Sequence, residues 1–257
     1  RRLLRVAARW RPAARKGHTL NAMPFVELAP SGTPITIRDL LKWLILQPVA
    51  ARILEEFRAA ICQRYQLRHC FFVSSGRAAM YLLFRVLRTL AGSDKTDVIV
   101  PSYTCYSVPA AAIRAGLRVR ILDIDPVSLS FDLDQLAHTD FSQVLAIVSS
   151  NLYGIPNDLP AIAAIARQHG VYFIDDAAQS LGALMDGQPV GGFGDAGLYS
   201  LDKGKNITSI QGGILVTQSN TIAAEIRKEL AQLPNPPWQR TLAQAIQLLI
   251  YGILLRP

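Results

Sequence analysis

Two lysines, Lys203 and Lys205, sit in a tight turn just after an apolar run ending in Tyr199-Ser200-Leu201. A lysine held against apolar or cationic surroundings loses basicity and becomes a nucleophile able to condense with a carbonyl. The same Lys-Gly-Lys reads equally as a solvated basic loop. Upstream, Asp175-Asp176 closes the apolar run 171–174 and precedes Ala177-Ala178-Gln179. A carboxylate at the end of a buried strand is costly unless it meets a cation, such as a protonated ring nitrogen; otherwise the two acids cap a turn. Ser74-Ser75-Gly76-Arg77-Ala78-Ala79 joins a strand to a helix. Free N–H groups at such a helix start favour a phosphate, or Ser75 is an ordinary N-cap. Pro101-Ser102-Tyr103-Thr104-Cys105-Tyr106 follows another strand and offers aromatics, either for stacking on a planar ring or for the core.

Each cluster is attached to an element that the apolar periodicity predicts. Helices are expected over 50–66, 77–90, 108–115, 159–168 and 221–233, and strands over 70–74, 97–100, 119–123, 145–149, 171–174 and 213–217, with a further strand carrying Ser200 at its end. Short apolar strands alternating with helices imply an α/β fold: a mostly parallel sheet, right-handed crossovers and helices on both faces. In such sheets a ligand sits at the carboxyl ends of the strands, where all four clusters fall.

Half of the 257 residues are apolar, enough for a sizeable core without metal or disulfide staples. Cys62, Cys70 and Cys105 are odd in number and show no metal-ligand spacing, nor do His18, His69, His138 and His169. This argues against a disulfide framework or a metal site and fits a reducing compartment. The net charge of +8 is concentrated in Arg1, Arg2, Arg5, Arg9, Arg11, Arg15 and Lys16, ahead of any acid, so the remainder carries only +1. The charge therefore gives no reason to expect a nucleic-acid partner. Residues 1–22 read as an upstream leader preceding Met23, as a disordered basic tail or, behind these, as a targeting peptide. Pro234-Asn235-Pro236-Pro237 breaks the chain before an apolar run at 242–255, which is too short to span a bilayer and reads as a buried or membrane-touching helix. The expected division is thus a basic leader at 1–22, a main domain at 23–233 and a further part at 234–257.

In order and spacing the clusters resemble the DegT-type pyridoxal-phosphate aminotransferases over about 55–217. Ser75-Gly76-Arg77-Ala78-Ala79 resembles the family's phosphate loop, Asp176-Ala177-Ala178-Gln179 its cofactor-ring motif, and Ser200 with Lys205-Asn206 its phosphate serine and Schiff-base lysine. Val98 to Thr104, Leu122-Asp123-Ile124-Asp125, Leu152-Tyr153-Gly154 and Gly212-Gly213 are further landmarks. The resemblance implies the large domain of the aspartate-aminotransferase-like fold, with the C-terminal small domain missing. It also implies pyridoxal 5'-phosphate as cofactor and Lys205, not Lys203, as its covalent anchor. Asp176 would lie at the ring nitrogen and Gln179 against the ring, while Ser75, Gly76, Arg77, Ala78 and Ser200 would hold phosphate.

The implied reaction is amino transfer, from glutamate, to a keto-sugar nucleotide by a cytoplasmic homodimer. Departures are Arg77 for a threonine, Cys105 for the stacking aromatic (with Tyr106 expected to point elsewhere), Asn151 for a histidine and Gln211 for an acid. They keep open the alternative of a non-catalytic relative acting as a regulatory partner protein.

Overall fold

The computed structural model describes residues 37–234 other than 93 and 210, together with 239, 242–247 and 250. The basic stretch 1–22 and most of the Pro-rich break lie outside these residues.

Alternation along the strands builds two cores. In β2 (Asp97–Pro101), Val98 and Val100 enter one core and Ile99 the other. Successive side chains of a strand point to opposite faces, so a strand apolar at every position must be covered on both sides. The covering helices divide accordingly. On one face lie α3 (Gly76–Ala91), α4 (Ser107–Arg114) and α7 (Asn220–Ala231). On the other lie α2 (Ala50–Tyr65), the short α5 (Leu133–Ala137) and α6 (Leu159–Gln168). Ahead of them, α1 (Ile37–Ile45) was not read from the sequence, although Leu41, Leu44 and Ile45 recur at helical spacing; all three are exposed.

Seven strands form the main sheet in the order β1-β9-β8-β5-β4-β2-β3. The others are β1 (His69–Val73), β3 (Arg118–Leu122), β4 (Val144–Ser150), β5 (Tyr172–Asp176), β8 (Ala196–Ser200) and β9 (Gly213–Thr217). From β8 to β3 every pairing is parallel, as the βα alternation requires. The exception is β9, antiparallel to both β1 and β8. A small two-stranded ribbon, β6 (Leu184–Met185) with β7 (Gln188–Pro189), stands apart.

The β9 insertion matters because of its register. Gly213 pairs with Val73 on one side and Ser200 on the other. The carboxyl ends of β1 and β8 are thereby level, and the loop entering α3 crosses the start of β9. Glycine is required for that crossing: a Cβ on Gly213 would lie 2.5 Å from Ser75 C and O and 2.8 Å from Gly76 N.

In the region 242–247 the chain is helical, with Leu242 and Ile246 exposed. No helix among the described residues is long and apolar enough to cross a membrane.

Candidate functional site

At the carboxyl edge of the sheet, the loops after β1, β2, β4, β5 and β8 enclose a cleft of about 440 Å³, within the range of small-molecule sites. Of the residues singled out from sequence, Ser75, Gly76, Arg77, Cys105, Asp176, Gln179, Ser200 and Lys205 all line it. Ala78 does not, and Lys203 stays outside on the exposed side of the loop.

The α3 end of the cleft is built first by Ser75. Its extended backbone (φ −167°) makes it the N-cap, and its Oγ accepts the Ala78 N–H at 3.1 Å. The Ala78 amide is thus already used by the cap. Gly76 lies tight against β8, since a Cβ there would meet Ser200 Cβ at 3.1 Å and Oγ at 3.2 Å. Small residues bring the α3 N-terminus and the Ser200 hydroxyl together, and that combination suits an anion.

At the β5 end the two acids part company. Asp175 is fully buried and its carboxylate is saturated: Asn151 Nδ2 donates to Oδ1 at 2.7 Å, and the Gly191 and Phe193 amides donate to Oδ2 at 2.7 and 3.2 Å. Asp176 lines the cleft, and among the described residues one N–H, that of Ala178, reaches its Oδ1 at 3.0 Å. Burial pushes both carboxyls up to about 6, against the opposing pull of these hydrogen bonds. For Asp176 the Lys205 ammonium also pulls down and the Asp175 charge pushes up. Asp176 is therefore a desolvated carboxylate with acceptor capacity left over, in a cleft that can receive a cation.

Asn151 is the residue whose importance the sequence flagged only as a departure. Besides binding Asp175, its Nδ2 donates to the Asp176 carbonyl at 3.0 Å, while its Oδ1 accepts the Asn157 N–H at 3.0 Å. It ties the end of β4 to both acids of β5. Gln179 accepts the Tyr153 N–H at 3.1 Å, holding Tyr153 in a left-handed conformation (φ 56°) that a bulky residue rarely adopts.

One expectation changes at the β2 loop. Tyr106, expected to point elsewhere, lines the cleft, and Arg77 Nη2 donates to its hydroxyl at 2.8 Å. Tyr106 stands at the N-cap position of α4 without a side-chain cap bond, and its ring lies 5.3 Å from the Arg77 guanidinium carbon at the α3 N-terminus. Cys105 lines the cleft with its thiol accepting from Ser107 Oγ at 3.1 Å. Thr104 and Ser150, which share a 2.7 Å hydroxyl hydrogen bond, and Gln211 also line the cleft; of these three, only Ser150 had gone unmarked in the sequence.

A helix N-terminus beside the Ser200 hydroxyl, a buried carboxylate and a lysine, all lining one cleft, define an α/β protein whose site can take a small ligand carrying both an anionic group and a cationic ring. The chain belongs to the DegT/DnrJ/EryC1/StrS aminotransferase family, whose model matches residues 48–242. It is 34% identical over 168 residues to UDP-N-acetyl-3-dehydro-alpha-D-glucosamine 3-aminotransferase of Acidithiobacillus ferrooxidans, covering 65% of this chain and 44% of that protein. Its fold matches Helicobacter pylori PseC, an aminotransferase involved in the biosynthesis of pseudoaminic acid, with a TM-score of 0.71 at 20% identity, over 82% of this chain and 58% of that one. It also matches an E. coli GDP-4-keto-6-deoxy-D-mannose-3-dehydratase with bound hydrated PLP, with a TM-score of 0.66 at 23% identity, over 77% and 53% of the two chains. The chain spans about half the length of the curated relatives it matches.

The cofactor of this family is pyridoxal 5'-phosphate, and the residues present fit it. The spare acceptor capacity of Asp176 suits a protonated ring nitrogen, the α3 N-terminus with Ser200 and Arg77 suits the phosphate, and the Lys205 amine suits the aldehyde.

Proposed function

We propose that this chain is the cofactor-binding part of an aminotransferase acting on a keto-sugar nucleotide, with glutamate as donor. The carrying observation is that Asp176, Lys205 and the N-terminus of α3 line one cleft at the carboxyl edge. Pyridoxal phosphate supplies an electron sink for the carbon that bears the migrating amine. The protein's own tasks follow from the geometry. The Ser75 and Gly76 backbone, the Ser200 hydroxyl and the Arg77 guanidinium hold the phosphate, with Ala78 contributing through the cap rather than directly. Asp176 keeps a proton on the ring nitrogen, since its buried charge is better matched by a cation than left alone. Gln179 and Cys105 flank the ring. Lys205 would anchor the cofactor through its amine, and its freed Nζ would move the proton between the donor's Cα and the cofactor's C4′.

In the same reading, 23–233 is the cofactor domain, 1–22 a separate basic segment and 234–257 the start of a further part. The working enzyme is a cytoplasmic homodimer. Borohydride reduction in the presence of pyridoxal phosphate, followed by peptide mapping, tests the site. The pyridoxyl group is expected on Lys205, and finding it on Lys203 would overturn the assignment. Transfer of the glutamate amine, followed spectroscopically, separates an enzyme from a relative that binds without turning over.

A further inference from the structure

Arg77 opposes its local electrostatics. It is the second residue of α3, where unpaired N–H groups already concentrate positive potential, so a cation there is repelled unless an anion joins it. No carboxylate compensates: among the described residues Arg77 forms no ion pair. Among the described residues its side chain hydrogen-bonds instead to a neutral group. Nη2 donates to the Tyr106 hydroxyl at 2.8 Å, and the guanidinium carbon stands 5.3 Å from the centre of the Tyr106 ring. A tyrosine cannot neutralise this charge, but it can fix where the charge points. One N–H of the guanidinium is taken and four remain. Tyr106 itself is 70% exposed, so core packing does not explain its orientation.

We propose that Tyr106 is a positioning residue for phosphate. It holds the Arg77 fork beside the α3 N-terminus, so that fork, helix amides and the Ser200 hydroxyl grip one dianion together. The proposal rests on reading the cleft as a pyridoxal-phosphate site. It adds a residue that the family's phosphate loop does not contain, and it makes Arg77 and Tyr106 one functional unit.

The test compares pyridoxal 5'-phosphate with pyridoxal, which lacks the phosphate. The full chain, Tyr106→Phe, Arg77→Ala and the double variant are titrated with each, read by cofactor absorbance. Both side chains are exposed, so the substitutions leave the core untouched. Arg77→Ala is expected to weaken pyridoxal phosphate about tenfold to a hundredfold and Tyr106→Phe about threefold to tenfold, the ranges of charged and neutral hydrogen bonds. Neither should change pyridoxal binding, and the double variant should be no worse than Arg77→Ala, because the tyrosine acts only through the arginine. The proposal falls if Tyr106→Phe leaves the preference for the phosphorylated form intact, if it weakens both ligands alike, or if the two substitutions add. Should the unaltered chain bind both ligands equally, or neither, the cleft does not read phosphate and the underlying assignment falls with it.

Discussion

Asp176→Asn should stabilise the cofactor-free protein at neutral pH and, in the same molecule, disable cofactor chemistry. Burial raises the Asp176 carboxyl from its ordinary 3.8 to about 6. The folded protein therefore binds this proton more tightly than the unfolded chain, and its stability falls as pH rises from about 4 to about 6. Above that window the full cost of the buried charge is present. A rise from 3.8 to about 6 corresponds to about 3 kcal/mol at neutral pH. Asparagine keeps an oxygen to accept the Ala178 amide and carries no charge, so it recovers most of that cost. The gain over the unaltered protein should be clearly smaller at pH 5 than at pH 8, where it approaches about 3 kcal/mol. For a chain of this size that is a rise of roughly 5–10 °C in melting temperature at the upper pH. Thermal melts of both proteins without cofactor, from pH 5 to pH 8, measure it. With pyridoxal phosphate and glutamate, half-transamination by Asp176→Asn should drop by orders of magnitude, because the proton on the ring nitrogen is no longer held. A variant no more stable than the parent at pH 8, or a gain that is the same at pH 5, would refute the claim that the cleft holds an under-compensated carboxylate.

Other substitutions probe the remaining parts. Gly213→Ala forces a methyl group into the backbone of Ser75 and Gly76, so urea melts should show a loss of roughly 1–3 kcal/mol or more, accompanied by weaker cofactor binding. Unchanged stability would mean that the α3 entry is not seated on β9. Asn151→Ala leaves Asp175 short of a donor and should cost about 3 kcal/mol. Asn151→Asp instead sets a second charge against Asp175, so its deficit should be largest at pH 8 and narrow toward pH 5 as a carboxyl protonates; a pH-independent deficit counts against the contact. Lys205→Ala should abolish amine transfer from glutamate while Lys203→Ala retains it, as measured by single-turnover absorbance.

Local sequence carried much of the architecture. The apolar run 213–217 and the helix 159–168 appear with the expected bounds, because a period of two or of 3.6 is set by the backbone itself. The carboxyl-edge rule then placed the cleft before any side chain was seen. Alternation also required Asp175 and Asp176 to point to opposite faces of β5, although it could not say which face the cleft occupies. That was decided by Asn151, Gly191 and Phe193, which saturate Asp175 from elements 16 to 24 residues away and leave Asp176 to the ligand. The position of β9 was equally out of reach. Pairing between Val73, Gly213 and Ser200 joins residues far apart in the chain, and no local period encodes a partner at that distance. The direction of Tyr106 belongs to the same class. Its residue type announces an aromatic, but only the tertiary structure brings its hydroxyl to Arg77. Residue type and spacing fixed which groups were available for chemistry; packing between distant strands decided which of them meet, because contact energy depends on neighbours that the local chain does not contain.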